Sequence, residues 1–232
     1  MIGRLPRWVW IGAPLLAAIA GMINAVGFLS FTHQGVTHLT GTTTLFGLAL
    51  GESRWRDATH LGGMVAAFVA GGALSGIIIR ESTLQLGRRY GVALVIESLL
   101  LCSAVSLLHR GNALGDYLAS SACGLQNAMV STYSGAVLRT THVSGMFTDI
   151  GIAFGHLLRG ITPDWAKFRL WSAMIVAFAA GGTAGALAFP RLGYGTLYIP
   201  AAVTAATGVI YGLYRHCLHV PAEQLSGPKP PV

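Results

Sequence analysis

The chain has 232 residues, 53% of them hydrophobic and 10% charged, with a mean hydropathy of +0.61 and a formal net charge of +7. A soluble domain carries roughly 25% charged residues, and a chain with so little polar surface would not stay dispersed in water. Composition therefore excludes an ordinary soluble domain and predicts an all-α integral membrane protein with the lipid bilayer as its first partner. The positive charge is not a nucleic-acid footprint, because arginines such as Arg54, Arg56, Arg88, Arg89, Arg139 and Arg159 punctuate the apolar runs instead of clustering on one face.

In chain order, hydrophobic segments are predicted at 8–31, 39–51, 60–79, 91–109, 113–137, 143–158, 168–189 and 196–215. The first follows Arg4 and Arg7 and so mimics a signal peptide, but it has an internal counterpart and is expected to be retained. Gly21-Met22-Ile23-Asn24-Ala25 is echoed by Gly124-Leu125-Gln126-Asn127-Ala128, and Thr37-His38-Leu39-Thr40-Gly41 by Thr141-His142-Val143-Ser144-Gly145. A third block, MVAAFVAGG (64–72), is echoed by MIVAFAAGG (174–182). Three matching blocks in one order predict a duplication, with a first membrane repeat at 1–110, a second at 111–216 and a disordered tail at 217–232.

The second segment of each half is short. Thr40 to Gly51 gives about 18 Å of helix against a hydrocarbon core of about 30 Å. Each half thus has three full spans plus one short helix, re-entrant or broken, and the total lies between six and eight crossings. Eight crossings make the halves parallel, whereas six make them inverted. With the N-terminus inside, both layouts satisfy the positive-inside rule, and the matched short segments favour inversion. Both short segments carry GxxxG (Gly47/Gly51 and Gly151/Gly155), a pattern associated with close helix contact.

Polar groups at membrane depth need partners or a water-filled cavity. Asn24, His38, Thr40 and Gly41, with Gln126, Asn127, His142, Ser144 and Gly145, are candidate solute ligands at the entries to the short helices, Thr40 and Ser144 being placed to cap them. The alternative, that they only cap helices and join the halves, stays open. Asp149 stands where the first half has Leu45 and is the candidate for proton or ion coupling, and Glu97, inside the fourth segment, is a second. Pairing of Asp149 with Arg139 or Arg159 is the other reading, and Glu97 is equally placed to reach an interface. No metal or cofactor is implied, because two histidines without a matched thiol or carboxylate set make no site and Cys102, Cys123 and Cys217 are scattered. There is no GxSxG, HExxH or phosphate loop, and Ser131 or Ser134 near His142 is only a loose hydrolase candidate, so no enzyme is expected.

On G-x-x-N-A-V-G-F-L (21–29), H-L-T-G (38–41), G-L-Q-N-A (124–128) and T-T-H-V-S-G-M-F-T-D (140–149), the chain resembles the YoaK-type family of small bacterial multipass membrane proteins over about 12–215. The resemblance implies the bacterial cytoplasmic membrane and no established activity. Two residues depart from that family's pattern. An acidic residue usually stands where this chain has Asn24, and asparagine where it has Thr42, so coupling through the first half would pass to Asp149. The expected function is transport of a small polar or anionic solute at a site where the short segments meet, one half rocking against the other. A non-transporting scaffold is the rival, a channel the third reading, and a homo-oligomer is compatible with all of them.

Overall fold

The computed structural model describes residues 8–30, 33, 35–79, 89–134 and 138–217, the side chains of 214–217 excepted. The predicted tail beyond 217 lies outside them. Among the described residues there are eight α-helices and no strand: α1 (Val9–Leu29), α2 (Leu39–Gly51), α3 (Trp55–Ile78), α4 (Arg89–Leu108), α5 (Leu114–Ser134), α6 (Val143–Leu158), α7 (Trp165–Leu192) and α8 (Tyr198–Cys217), with a 3₁₀ turn at Gly193–Leu197 joining the last two. Each predicted segment corresponds to one helix.

The clearest boundary shift is at α3, which begins five residues before its hydrophobic segment, because Arg54 closes the α2–α3 turn. Its Nε donates to Glu52 Oε2 at 2.7 Å and its guanidinium to Asp57 Oδ2 at 2.5 Å. Those carboxylates, Glu52 first, hold the Arg54 pKa above its ordinary value. A polar first turn is invisible to hydropathy. α7 also starts early, on an Asp164 cap whose Oδ1 accepts from the N–H groups of Ala166 (3.1 Å) and Lys167 (3.2 Å). Asp164→Ala is expected to cost about 1 kcal/mol, read as a lowered melting temperature in detergent.

Four stretches are long and apolar enough to cross a membrane: Val9–Leu29, Trp55–Ile78, Arg89–Leu108 and Trp165–Leu213, the last running through α7 and α8. Large apolar side chains face outward along them, Ile11 at 75%, Ile77 at 71% and Leu187 at 72% exposure, which suits lipid and not water. This is a helical membrane protein. α5, expected as a hydrophobic segment carrying Gln126 and Asn127, has thirteen of its 21 residues buried. Protein and not lipid surrounds it: Ser120 Oγ donates to the Met64 carbonyl at 2.9 Å, and Gln126 Nε2 to the Leu16 carbonyl at 2.9 Å.

Two close crossings organise the bundle. At α1–α7, a Cβ on Gly21 would strike the Phe178 carbonyl and one on Gly181 the Ala18 carbonyl. At α3–α5, a Cβ on Gly124 would strike the Phe68 carbonyl and one on Gly71 the Ser121 carbonyl. Both pairs run parallel: Arg169 lies over Trp10 near the helix starts while Gly185 faces Met22 and Ala25 further along, and His60 meets Tyr117 while Gly72 faces Ala128.

Two further pairs, α1–α5 and α4–α8, run antiparallel. Trp8 at the start of α1 stacks edge-on against Tyr133 at the end of α5, ring centroids 4.7 Å apart. The end of α4 meets the approach to α8 at His109–Tyr194, 5.7 Å, whereas Gly91 near its start faces Gly208. α1, α4, α5 and α8 therefore form the centre.

Candidate functional site

His38 and His142 each stand at the N-cap of a short helix. His38 caps α2 with φ −94° and ψ 66°, and His142 caps α6 with φ −93° and ψ 54°. Neither ring makes a capping hydrogen bond, and each lies where a Cβ on Gly41 or Gly145 would be. Those glycines make room for imidazole. Thr40 and Ser144, expected as caps, stand one residue inside their helices and are exposed; their carbonyls accept from Thr44 (3.0 Å) and Thr148 (3.1 Å). The sequence reading passed over Thr42 as a site residue. It is buried, and its Oγ1 lies 3.3 Å from the Gly35 carbonyl and 3.2 Å from the His38 carbonyl, holding the entry turn closed.

Asn24 Oδ1 accepts from the Thr37 N–H at 3.3 Å, tying α1 to that turn. Asn127, its echo, keeps a buried Oδ1 without a hydrogen-bond partner. The two motifs do not converge. α2 packs on α3 and α6 on α7, with no contact between α2 and α6 among the described residues. Each short helix folds back on the long helix that follows it, through Phe46 with Ala49, Ala58 and Leu61, or through Phe154 against Phe168 at 5.6 Å. A site where the short segments meet is therefore not what this arrangement offers. Nor do the GxxxG stripes make close contacts, since a Cβ on Gly47, Gly51, Gly151 or Gly155 would meet nothing within 4 Å.

Asp149 is half-buried on α6 and forms no ion pair with Arg139 or Arg159 among the described residues. Ser131 and Ser134 donate to the Leu138 and Val130 carbonyls, not to His142. Among the described residues no three His, Cys, Asp or Glu side chains are gathered as for a metal ion.

The centre is different. Glu97 on α4 is 0% exposed, and neither carboxyl oxygen has a hydrogen-bond partner. Cys123 of α5 is buried too, at 2% exposure. One turn further along α5, Gln126 spends its amide on Leu16 and leaves Oε1 buried and unpartnered. Burying unpartnered polar atoms costs free energy, which sets Glu97 and Gln126 apart from the exposed His38 and His142 at the helix caps.

Beside it lies a cavity of about 340 Å³ among the four central helices, walled by Trp8, Gly12 and Leu16 of α1, Tyr90 and Leu94 of α4, Met129 and Tyr133 of α5, and Thr207 and Tyr211 of α8. It sits at the end where α1 and α4 begin. At the opposite end the same helices close over Ile23, Val26, Leu101, Val105, Ala119, Leu197 and Ala201. Spread through the sequence, Trp8, Tyr90, Tyr133 and Tyr211 resemble ordinary interfacial aromatics; only packing brings them together.

A second cluster was also missed. His60 of α3 has Nδ1 3.2 Å from the Tyr117 hydroxyl and Nε2 3.6 Å from Oδ2 of the buried Asp116, both on α5. The fifty-odd residues between them hide it from any motif.

Compared with known proteins, residues 13–210 match the family described as "Protein of unknown function (DUF1275)", and the chain belongs to it. No curated protein and no solved structure matches.

Proposed function

We propose that this member of the DUF1275 family is a secondary transporter of the bacterial cytoplasmic membrane, with two inverted halves (1–110 and 111–216) and a solute path between α1, α4, α5 and α8. The observation that carries this reading is the antiparallel run of α1 against α5 and of α4 against α8. If both short helices crossed, each of those pairs would be parallel; if neither crosses, each half has three crossings and the pairs oppose, as observed. Polar groups buried at the pseudo-symmetric centre, with a cavity at one end and dense packing at the other, support a one-sided state of an alternating-access cycle.

The moving bodies differ from the two halves. Close crossings join α1 to α7 and α3 to α5, so each rigid unit takes a helix from both halves. Rocking then takes place between an α1–α6–α7 body and an α2–α3–α5 body. The solute is small, with a polar or charged group for Glu97, Gln126 and Asn127. Asp149, outside this centre, keeps the coupling role only if water reaches α6.

Reporter fusions after residues 35, 56 and 86 test the layout. Fusions at 35 and 56 are expected on one side and 86 on the other; opposite sides for 35 and 56 would refute inversion. The uncontacted GxxxG faces of α2 and α6 favour the second reading, a membrane scaffold that packs a further helix or a second copy there.

A further inference from the structure

We propose that the central cavity binds an amphiphilic cation, its apolar or aromatic body seated on Trp8, Tyr133 and Tyr211 and its positive charge received by Glu97. The assignment deepens the transporter reading and rests on it only for what binding accomplishes.

The cavity wall is almost wholly apolar and rich in aromatic rings. Trp8 and Tyr133 meet edge-on at 4.7 Å and Tyr90 and Tyr133 at 5.9 Å, so three of the lining rings form one connected aromatic wall. Aromatic faces attract cations and stack on flat apolar groups. Such a wall gives a small polar anion no donor and no countercharge. Glu97 follows the lining residues Tyr90 and Leu94 by seven and three positions on α4, and Gln126 precedes Met129 and Tyr133 by three and seven on α5, so helical periodicity sets both buried acceptor groups on the cavity-lining faces, one turn further in. A carboxylate at this depth is charged only against a matching cation. α1 carries no titratable side chain between Val9 and Leu29, and no lysine or arginine lies within the central stretches of α4, α5 or α8 to occupy Glu97 instead. Charge complementarity selects a cation; the volume of about 340 Å³ admits an organic one.

The probe is tetraphenylphosphonium, with tetraphenylborate as its anionic isostere, measured as saturable binding to the purified full chain in lipid nanodiscs. Saturable binding of the phosphonium alone is expected, weakened about tenfold or more by Glu97→Gln. A second variant does not touch the carboxyl: Gly12→Leu fills the cavity, since a Cβ there meets only the Trp8 ring, at 3.7 Å, and it should weaken binding similarly while leaving the melting temperature within a few degrees. Absence of saturable phosphonium binding overturns the proposal, as does equal binding of the borate, which would mark a groove for lipid chains. Unchanged affinity in either variant overturns it too. Binding without uptake into proteoliposomes would instead refute transport and leave the site standing.

Discussion

Gly71→Ala and Gly181→Ala are each expected to destabilise the protein by about 1–3 kcal/mol, and the leucine variants to leave little folded material. The added methyl at Gly71 is directed into the Ser121 carbonyl, and at Gly181 into the Ala18 carbonyl. Those are backbone atoms in the middle of helices, so no side-chain rotation relieves the overlap and the helix pair must separate. Gly21 and Gly124 lie on the partner helices and meet the Phe178 and Phe68 carbonyls, so alanine there should act alike. Without hydrophobic drive between helices in lipid, such close backbone packing is a principal source of association. The internal control is Gly47, Gly51, Gly151 and Gly155, where a Cβ meets nothing within 4 Å. Alanine at these sites should be neutral, or stabilising by about 0.5–1 kcal/mol through helix propensity. Thermal unfolding in detergent, with monodispersity by size exclusion, separates the two groups; equal effects would refute the assignment of the crossings.

The same glycines show what could be read from the sequence and what could not. Hydropathy located eight helices because burial in lipid is a local property of each segment. It missed the start of α3, where Arg54, Glu52 and Asp57 extend the helix into the polar region. It could not separate GxxxG stripes that lack close contacts from the crossing glycines, since a glycine signals possible approach and the partner decides. Asn24, His38, Asn127 and His142 were legible as repeated polar residues, but repetition says nothing of convergence, and α2 and α6 lie apart. Glu97 was seen as an intramembrane carboxyl; that it lies in the centre beside an aromatic cavity depends on four helices converging from distant parts of the chain. The buried ends of His60 and Asp116 left no trace at all, because neither has a motif around it.

That pair supports a second large effect. Asp116→Ala is expected to lower stability by about 1–3 kcal/mol, the range for taking a polar neighbour from a buried polar group, with His60→Ala costing somewhat less because its ring retains partial solvent access, its side chain being 19% exposed. The double variant should lose at least about 1 kcal/mol less than the sum of the singles, since the second truncation removes a group already without its partner. Tyr117→Phe deletes only the hydroxyl 3.2 Å from His60 Nδ1 and should cost about 1 kcal/mol. All four variants are compared by thermal unfolding in the same detergent, and strict additivity of the two single losses would refute the coupling. The cluster joins the starts of α3 and α5 at the end opposite the cavity, and the Gly71–Gly124 crossing joins the same helices at mid-length. Two attachments at different depths prevent α3 and α5 from pivoting on one another. Any opening of the packed end must therefore carry them together, away from α1 and α7, and loss of the Asp116 contact should loosen that body without enlarging the cavity.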